Sequence, residues 1–238
     1  MKILAVDTST TSGSVALTED SRILCEWTLQ SAQTHNRRLL KSIDTVLNEV
    51  DWTVESLDGF AVTIGPGSFT GLRIGLTTIK TLAWTMRKPF AGIPTLDALA
   101  APLAFSPLPV CCILNAYKKE VFFARYEPDE AGNLERAGSY RVLPPEGVLP
   151  HVPGSTVFCG DGWLMYREFF RERLGTRAVE APAPFHILRA GFVGYLAHRK
   201  FIQGAADDPV TSVPLYIRPS EAELNNPHLN PNLRTLHS

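Results

Sequence analysis

The chain has 238 residues, 45% hydrophobic and 20% charged, a composition that supports one large or two small packed cores and excludes a disordered polymer. Lys and Arg (23) nearly balance Asp and Glu (24), so no bulk charge marks a nucleic acid or a membrane surface as a direct partner. No apolar run reaches the roughly 18 residues of a membrane span, and "MKILAVDTST" reads as a strand that turns polar, unlike a signal peptide, so a cytoplasmic protein is expected.

In chain order, "KILAVDTS" is a buried strand, and "GSVALTE" and "RILCEWTLQ" follow it closely enough to form an antiparallel meander. "THNRRLLKSIDTVLNEV" places Leu39, Leu40, Ile43, Val46, Leu47 and Val50 at helical spacing, with Arg37, Arg38, Lys41 and Asp44 opposite. "LDGFAVTIG" is a second buried strand, the glycine-rich stretch "TIGPGSFTGLRIGLTTIKTLAW" leads into a second helix, and "KPFAGIPTLDALA" supplies a strand and a helix start. Three prolines in "PLAFSPLP" mark a boundary, giving a first unit at 1–105 and a second, smaller one at 106–222. In the second unit, "PVCCILNA" and "EVFFARYEP" form a hairpin through Tyr117-Lys118-Lys119, and "GSYRVLPPEGVL" and "STVFCGDGW" read as strands. "WLMYREFFRERLG" reads as a helix, and "HILRAGFVGYLAHRKFIQG" as another, with Ile187, Leu188, Phe192, Tyr195 and Leu196 on one face. Residues 223–238, rich in Asn and Pro, are expected to be a mobile tail.

The glycine stretch invites a phosphate-binding reading, and its spacing excludes the familiar forms. Neither Gly65 nor Gly67 has a glycine five positions on followed by lysine, as a Walker A loop requires. Gly65, Gly67 and Gly71 are one residue too widely spaced for the dinucleotide fingerprint, and Pro66 and Thr70 stand where a nucleophile elbow needs glycines. What the stretch does have is a four-residue period, Gly67, Gly71 and Gly75, on one face of a helix starting near Ser68, with Thr78 and Leu82 continuing the row. A second row, Leu72, Leu76, Ile79, Ala83 and Met86, can pack on the sheet of its own unit. Glycines inside a helix cost about 0.5–1 kcal/mol each relative to Ala, so two on one face call for close approach of another backbone. That backbone can belong to another chain or to this one, and an anion at the helix start is the third reading.

No two of the six histidines have metal-ligand spacing, and no HExxH occurs. Cys25, Cys111, Cys112 and Cys159 lack CxxC spacing and read as buried free thiols of a reducing compartment. Asp7, at the end of the first strand before Thr8, Ser9, Thr10 and Thr11, is the one acid with a plausible catalytic location. It can position metal-bound water near phosphates or simply close an Asx turn.

"ILAVDTSTTSGSVAL", "GPGSFTGLRIG" and "GIPTLDALA", with "CGDGW" and "PLYIRPSEAE" later, resemble the TsaB (YeaZ) family of bacterial tRNA threonylcarbamoyladenosine biosynthesis proteins over most of the chain. The resemblance implies an α/β, two-lobed actin-like ATPase (ASKHA, ribonuclease H-like) fold with mixed sheets. It implies a non-catalytic subunit that docks on a paralogous TsaD-type subunit carrying the metal and the transfer site, alongside a TsaE-type ATPase. Together these form N6-threonylcarbamoyladenosine at position 37 of tRNA. ATP and Mg are then expected at the level of the complex, with none bound tightly by this chain, and tRNA is met through the complex. The first-lobe helices would carry the docking surface: His35, Leu39, Gly67, Ser68, Phe69, Thr70, Gly71, Arg73, Gly75 and Thr78. A homodimer through the same face is expected when the partner is absent. Nucleotide or anion contact would fall to Asp7, Thr8, Ser9, Gly65, Gly67 and Ser68. The alternative is a stand-alone ASKHA-type transferase or hydrolase using Asp7. One departure stands out: Asn115-Ala116-Tyr117 precedes Glu120-Val121-Phe122 where the family commonly shows Asp-Ala-Arg before Glu-Val-Tyr.

Overall fold

A computed structural model of the chain describes residues 1–30 and 39–218. His35, Arg37, Arg38 and the 223–238 tail lie outside the described residues.

The first 105 residues form the elements expected, in the expected order: β1 (Lys2–Asp7), β2 (Ser12–Glu19), β3 (Arg22–Gln30), α1 (Leu39–Glu49), β4 (Gly59–Gly65), α2 (Phe69–Met86), β5 (Phe90–Pro94) and α3 (Thr95–Ala100). The sheet order is β3-β2-β1-β4-β5, with β1, β2 and β3 an antiparallel meander and β4 and β5 parallel to β1. Strand alternation sends the side chains of β1 to two different cores. Leu4 and Val6 meet Leu39, Ile43, Leu76, Ile79 and Ala83 of α1 and α2 on one face. Ile3 and Ala5 meet Leu96, Leu99, Val193 and Ala197 on the other. The apolar row on α2 thus packs on its own sheet as its spacing implied: Leu72, Leu76, Ile79 and Ala83 are all buried.

The second sheet contains β6 (Val110–Asn115), β7 (Val121–Pro128), β8 (Leu134–Arg136), β9 (Arg141–Leu143), β10 (Thr156–Cys159) and β11 (Ala178–Glu180). Its order is β11-β10-β6-β7-β8, with β9 also on β7. The β6–β7 hairpin turns through three consecutive left-handed residues, Tyr117, Lys118 and Lys119. α4 (Pro145–Val148) replaces the end of the strand expected after Tyr140, because Pro145 takes a first-turn helix position where its missing N–H costs nothing. α5 (Asp161–Leu174) covers the outer face of this sheet, and Trp163 and Phe170 stack with Phe158 beneath it. All four cysteines are free; Cys111, Cys112 and Cys159 are buried and Cys25 is half-buried.

The last helix among the described residues packs on the first sheet. α6 (Ala190–Ile202) lies against β1, β2, β3, β4 and β5, so it closes the inner face of the first sheet. The face it buries is made mostly of small residues, Ala190, Gly191, Val193, Gly194 and Ala197, while Ile187 and the buried Leu188 precede the helix. Small residues suit this position because the helix rides close on the sheet. A Cβ on Gly194 would stand 2.7 Å from Thr18 Cγ2 and 3.3 Å from Ala5 Cβ. Its first amides meet acceptors on the meander, Ala190 N donating to Ser14 Oγ and Gly191 N to Glu26 Oε1, a carboxylate at a helix N-terminus. Residues 205–218 then run back along the first lobe. Asp207 N donates to Phe90 O, Leu215 N to Ile64 O and Lys80 Nζ to Ser212 O, while Arg218 pairs with Glu120 at 2.7 Å.

Candidate functional site: the β1–β2 turn and the start of α2

Ser68 caps α2, its Oγ accepting from Gly71 N at 3.3 Å, as expected for a helix that begins there. The three-glycine row faces this chain's own β1–β2 turn. A Cβ at Gly67 would overlap Ser9 O, one at Gly71 would overlap Thr8 O, and one at Gly75 would overlap Thr8 Oγ1. Hydrogen bonds fasten the same approach: Thr8 Oγ1 donates to Gly71 O at 2.7 Å and Ser68 N to Ser9 O at 2.7 Å. The close-packing reading of the spacing therefore holds, with the β1–β2 turn as its occupant. Gly71 and Gly75 are buried under it, and Gly67 and Ser68 are half-buried at its rim.

The remaining expected docking residues separate by exposure. Leu39 is buried in the core beneath α1, and Thr78 is half-buried. Phe69, Thr70 and Arg73 are exposed. Phe69 and Arg73 are also partnered within the chain: the Arg73 guanidinium lies 3.9 Å from the Phe69 ring centroid, Tyr216 stacks on Phe69 at 5.0 Å, and Arg73 Nε donates to Tyr216 Oη at 3.1 Å. Tyr216, within the family-like "PLYIRPSEAE", was not singled out by sequence, since its segment has no periodicity to place it.

Asp7 is fully buried. Its Oδ1 accepts from Ser9 N at 3.0 Å, Ser9 Oγ at 2.6 Å and Thr63 Oγ1 at 2.7 Å. The first of these is the Asx-turn bond, so the turn reading of Asp7 is realised. Thr63 is the participant that sequence reasoning missed; a threonine inside the apolar run of β4 was the available signal. Several polar groups of the loop are used within the chain. Ser9 N is taken by Asp7, Ser68 N by Ser9 O and Gly71 N by Ser68 Oγ, and the Thr8 and Ser9 carbonyl oxygens face the glycines. Gly65 is likewise covered from within, a Cβ there standing 2.7 Å from Leu215 O. Asp7, Thr8, Ser9, Gly65, Gly67 and Ser68 are brought together where the β1–β2 turn packs against the start of α2.

"CGDGW" turns the strand into a helix, carrying β10 into α5. Asp161 Oδ1 accepts from Asn115 N at 2.9 Å, and Asn115 Oδ1 accepts from Tyr117 N at 2.9 Å. Asn115 thus closes the turn with a side-chain carbonyl, which an amide supplies as well as a carboxylate does. Burial pushes the Asp161 carboxyl above its usual range, only partly offset by backbone N–H donors. Because the folded pKa is raised, ionisation of Asp161 opposes folding. Stability from this group is greatest below about pH 3.9, the unfolded carboxylate value, and falls as pH rises through the folded pKa. Asp161→Asn, which keeps the acceptor, is expected to gain on the parent in urea midpoint between pH 4 and 7. A difference that stays constant with pH would contradict the assignment.

Among the described residues, no group of three His, Cys, Asp or Glu could hold a metal ion, and no helix is long and apolar enough to cross a membrane.

A family model described as "TsaD: tRNA N6-adenosine threonylcarbamoyltransferase" matches residues 28–226. The "tRNA threonylcarbamoyladenosine biosynthesis protein TsaB" of Escherichia coli is 32% identical over 72% of this chain and 76% of its own. The chain belongs to the TsaB (YeaZ) family. The solved YeaZ structure from Pseudomonas aeruginosa superposes with a TM-score of 0.78 at 30% identity, covering 90% of this chain and 99% of that one. The activator of 2-hydroxyisocaproyl-CoA dehydratase from Clostridium difficile, at 10% identity and a TM-score of 0.51 over 86% of this chain and 97% of its own, shares the fold alone. The TsaB fold here is the expected two-lobed ASKHA type, with mixed sheets and helices between them.

Proposed function

We propose that this chain is a non-catalytic subunit required for forming N6-threonylcarbamoyladenosine at position 37 of tRNA. It docks on the TsaD-type subunit and works with the TsaE-type ATPase, meeting tRNA through the assembly. Family membership supports the pathway. The single observation that supports docking is the outer row of α2, where Thr70, Thr77, Thr81 and Trp84 recur at helical spacing and are all exposed. Trp84 is 65% exposed, and Leu40 on α1, the other helix on this side of the first sheet, is equally open. A large ring standing out from a threonine-lined helix suits the anchor position of an interface. The docking surface is therefore moved outward from the glycine row by about a third of a helical turn. A paralogous TsaD lobe is the occupant proposed, and in its absence a second copy can meet the same face.

The test is a titration of the full chain against its TsaD-type partner by calorimetry. Trp84→Ala is expected to weaken association about 10- to 100-fold, the range of an aromatic hot spot, without loss of thermal stability. Leu40→Asp should act in the same direction. Unchanged affinity in both folded variants would remove this face from the interface.

A further inference from the structure

We infer that a pocket between the lobes binds a small organic anion with a compact apolar body, held by Arg136 and Arg199. The pocket has a volume of about 170 Å³ and draws its walls from α3 and the turn after it, the β7–β8 hairpin and α6. Ala100, Ala104, Leu134 and Leu196 give it apolar walls, and Arg136 and Arg199 are among its lining residues. An apolar cavity of about 150 Å³ is enough for a benzene ring, so a ring-sized body fits here.

The sign of the preferred charge follows from the partners of each charged wall residue. Asp97 is the one acid on the wall, and its carboxylate is already engaged. Tyr126 Oη donates to Oδ1 at 2.7 Å, and Tyr140 Oη lies 2.8 Å from both oxygens. Burial and the neighbouring Asp97 hold both phenols above their usual range, so they stay protonated as donors. The arginines are differently placed. Among the described residues, neither Arg136 nor Arg199 has an acidic partner in an ion pair. Arg136 lies 4.0 Å from the Tyr140 ring centroid and gives one N–H to Gly138 O at 2.6 Å, and Arg199 lies 6.0 Å from the Tyr195 ring centroid. Each ring contact orients a planar fork that retains donors for a carboxylate or phosphate. Two arginines without an acidic partner on the wall of a largely apolar pocket, beside a carboxylate already hydrogen-bonded, select an anion over a cation. The site lies on the α3–α6 side of the first sheet, opposite the face proposed for docking, so it stands or falls separately from that proposal.

The experiment titrates benzoate, phenyl phosphate and neutral benzyl alcohol into the isotopically labelled full chain, following backbone amide shifts of Ala100, Ala104 and Leu134. Saturable shifts are expected for at least one anion, with benzyl alcohol at least about tenfold weaker. Which of the two anions binds better separates a carboxylate ligand from a phosphate one. Arg136→Gln and Arg199→Gln, both at exposed positions, are each expected to weaken the anion about tenfold. Ala104→Phe, which fills the pocket, should abolish its binding. The proposal is overturned by the absence of saturable shifts with both anions, by equal binding of benzyl alcohol, or by anion affinity that survives both arginine substitutions or Ala104→Phe.

Discussion

Gly71→Val is expected to destabilise the chain by about 3 kcal/mol or more, at the upper end of what overpacking produces. A side chain at this position has nowhere to go: its Cβ would overlap Thr8 O, and Ser68 Cβ stands 3.4 Å away. Neither neighbour is the free end of a flexible side chain. Relief requires α2 to lift from the β1–β2 turn, which would break the bonds from Thr8 Oγ1 to Gly71 O and from Ser68 N to Ser9 O. For a domain of this size the loss corresponds to a fall in melting temperature of roughly 6–12 °C. Thr77→Val, an exposed change on the same helix, is the matched control and should move it little. A Gly71→Val protein that melts with the parent would mean that the glycine row does not close this joint.

The second large effect is at Asp7. Asp7→Ala removes the acceptor from three donors, Ser9 N, Ser9 Oγ and Thr63 Oγ1. A buried donor left without an acceptor costs about 1–3 kcal/mol, and the hydroxyls can turn to limit the damage, so a total of about 3 kcal/mol is expected. Asp7→Asn keeps one carbonyl oxygen and should cost less, about 1–2 kcal/mol. Urea denaturation of the parent and both variants checks the order Asp7→Ala, Asp7→Asn, parent. If Asp7 served catalysis alone, Asp7→Ala would leave the urea midpoint where it was, and the turn assignment would be wrong.

Much of the fold is legible in the chain because its elements are periodic. α1 and α2 carry apolar residues at helical spacing, and the first eight elements form in the order that this patterning implies. α6 shows where such patterning stops. Its buried face is Ala190, Gly191, Val193, Gly194 and Ala197, so ranking positions by size of hydrophobe points to the wrong side. The residues that matter there are small because the sheet is close, and closeness is not written in a helix's own sequence. The 205–218 segment escapes for a different reason. It is held by scattered contacts, backbone bonds to Ile64 and Phe90, the Tyr216 ring on Phe69 and an ion pair to Glu120, which follow no repeat.

At the candidate site the same division holds residue by residue. The four-residue glycine period is enough to exclude the phosphate loops and to require that something approach α2 closely. A glycine records that a Cβ is forbidden, but not which atom forbids it. That atom is the carbonyl oxygen of Thr8, 63 residues earlier in the chain, and only the pairing of β1 with β4 brings it under α2. Local spacing thus determined the helix, its cap and the need for contact. Tertiary structure decided the partner, because non-local packing depends on how the whole sheet is assembled. With the glycine face filled from within, the face of α2 that runs from Thr70 through Thr77 and Thr81 to Trp84 is the one left exposed.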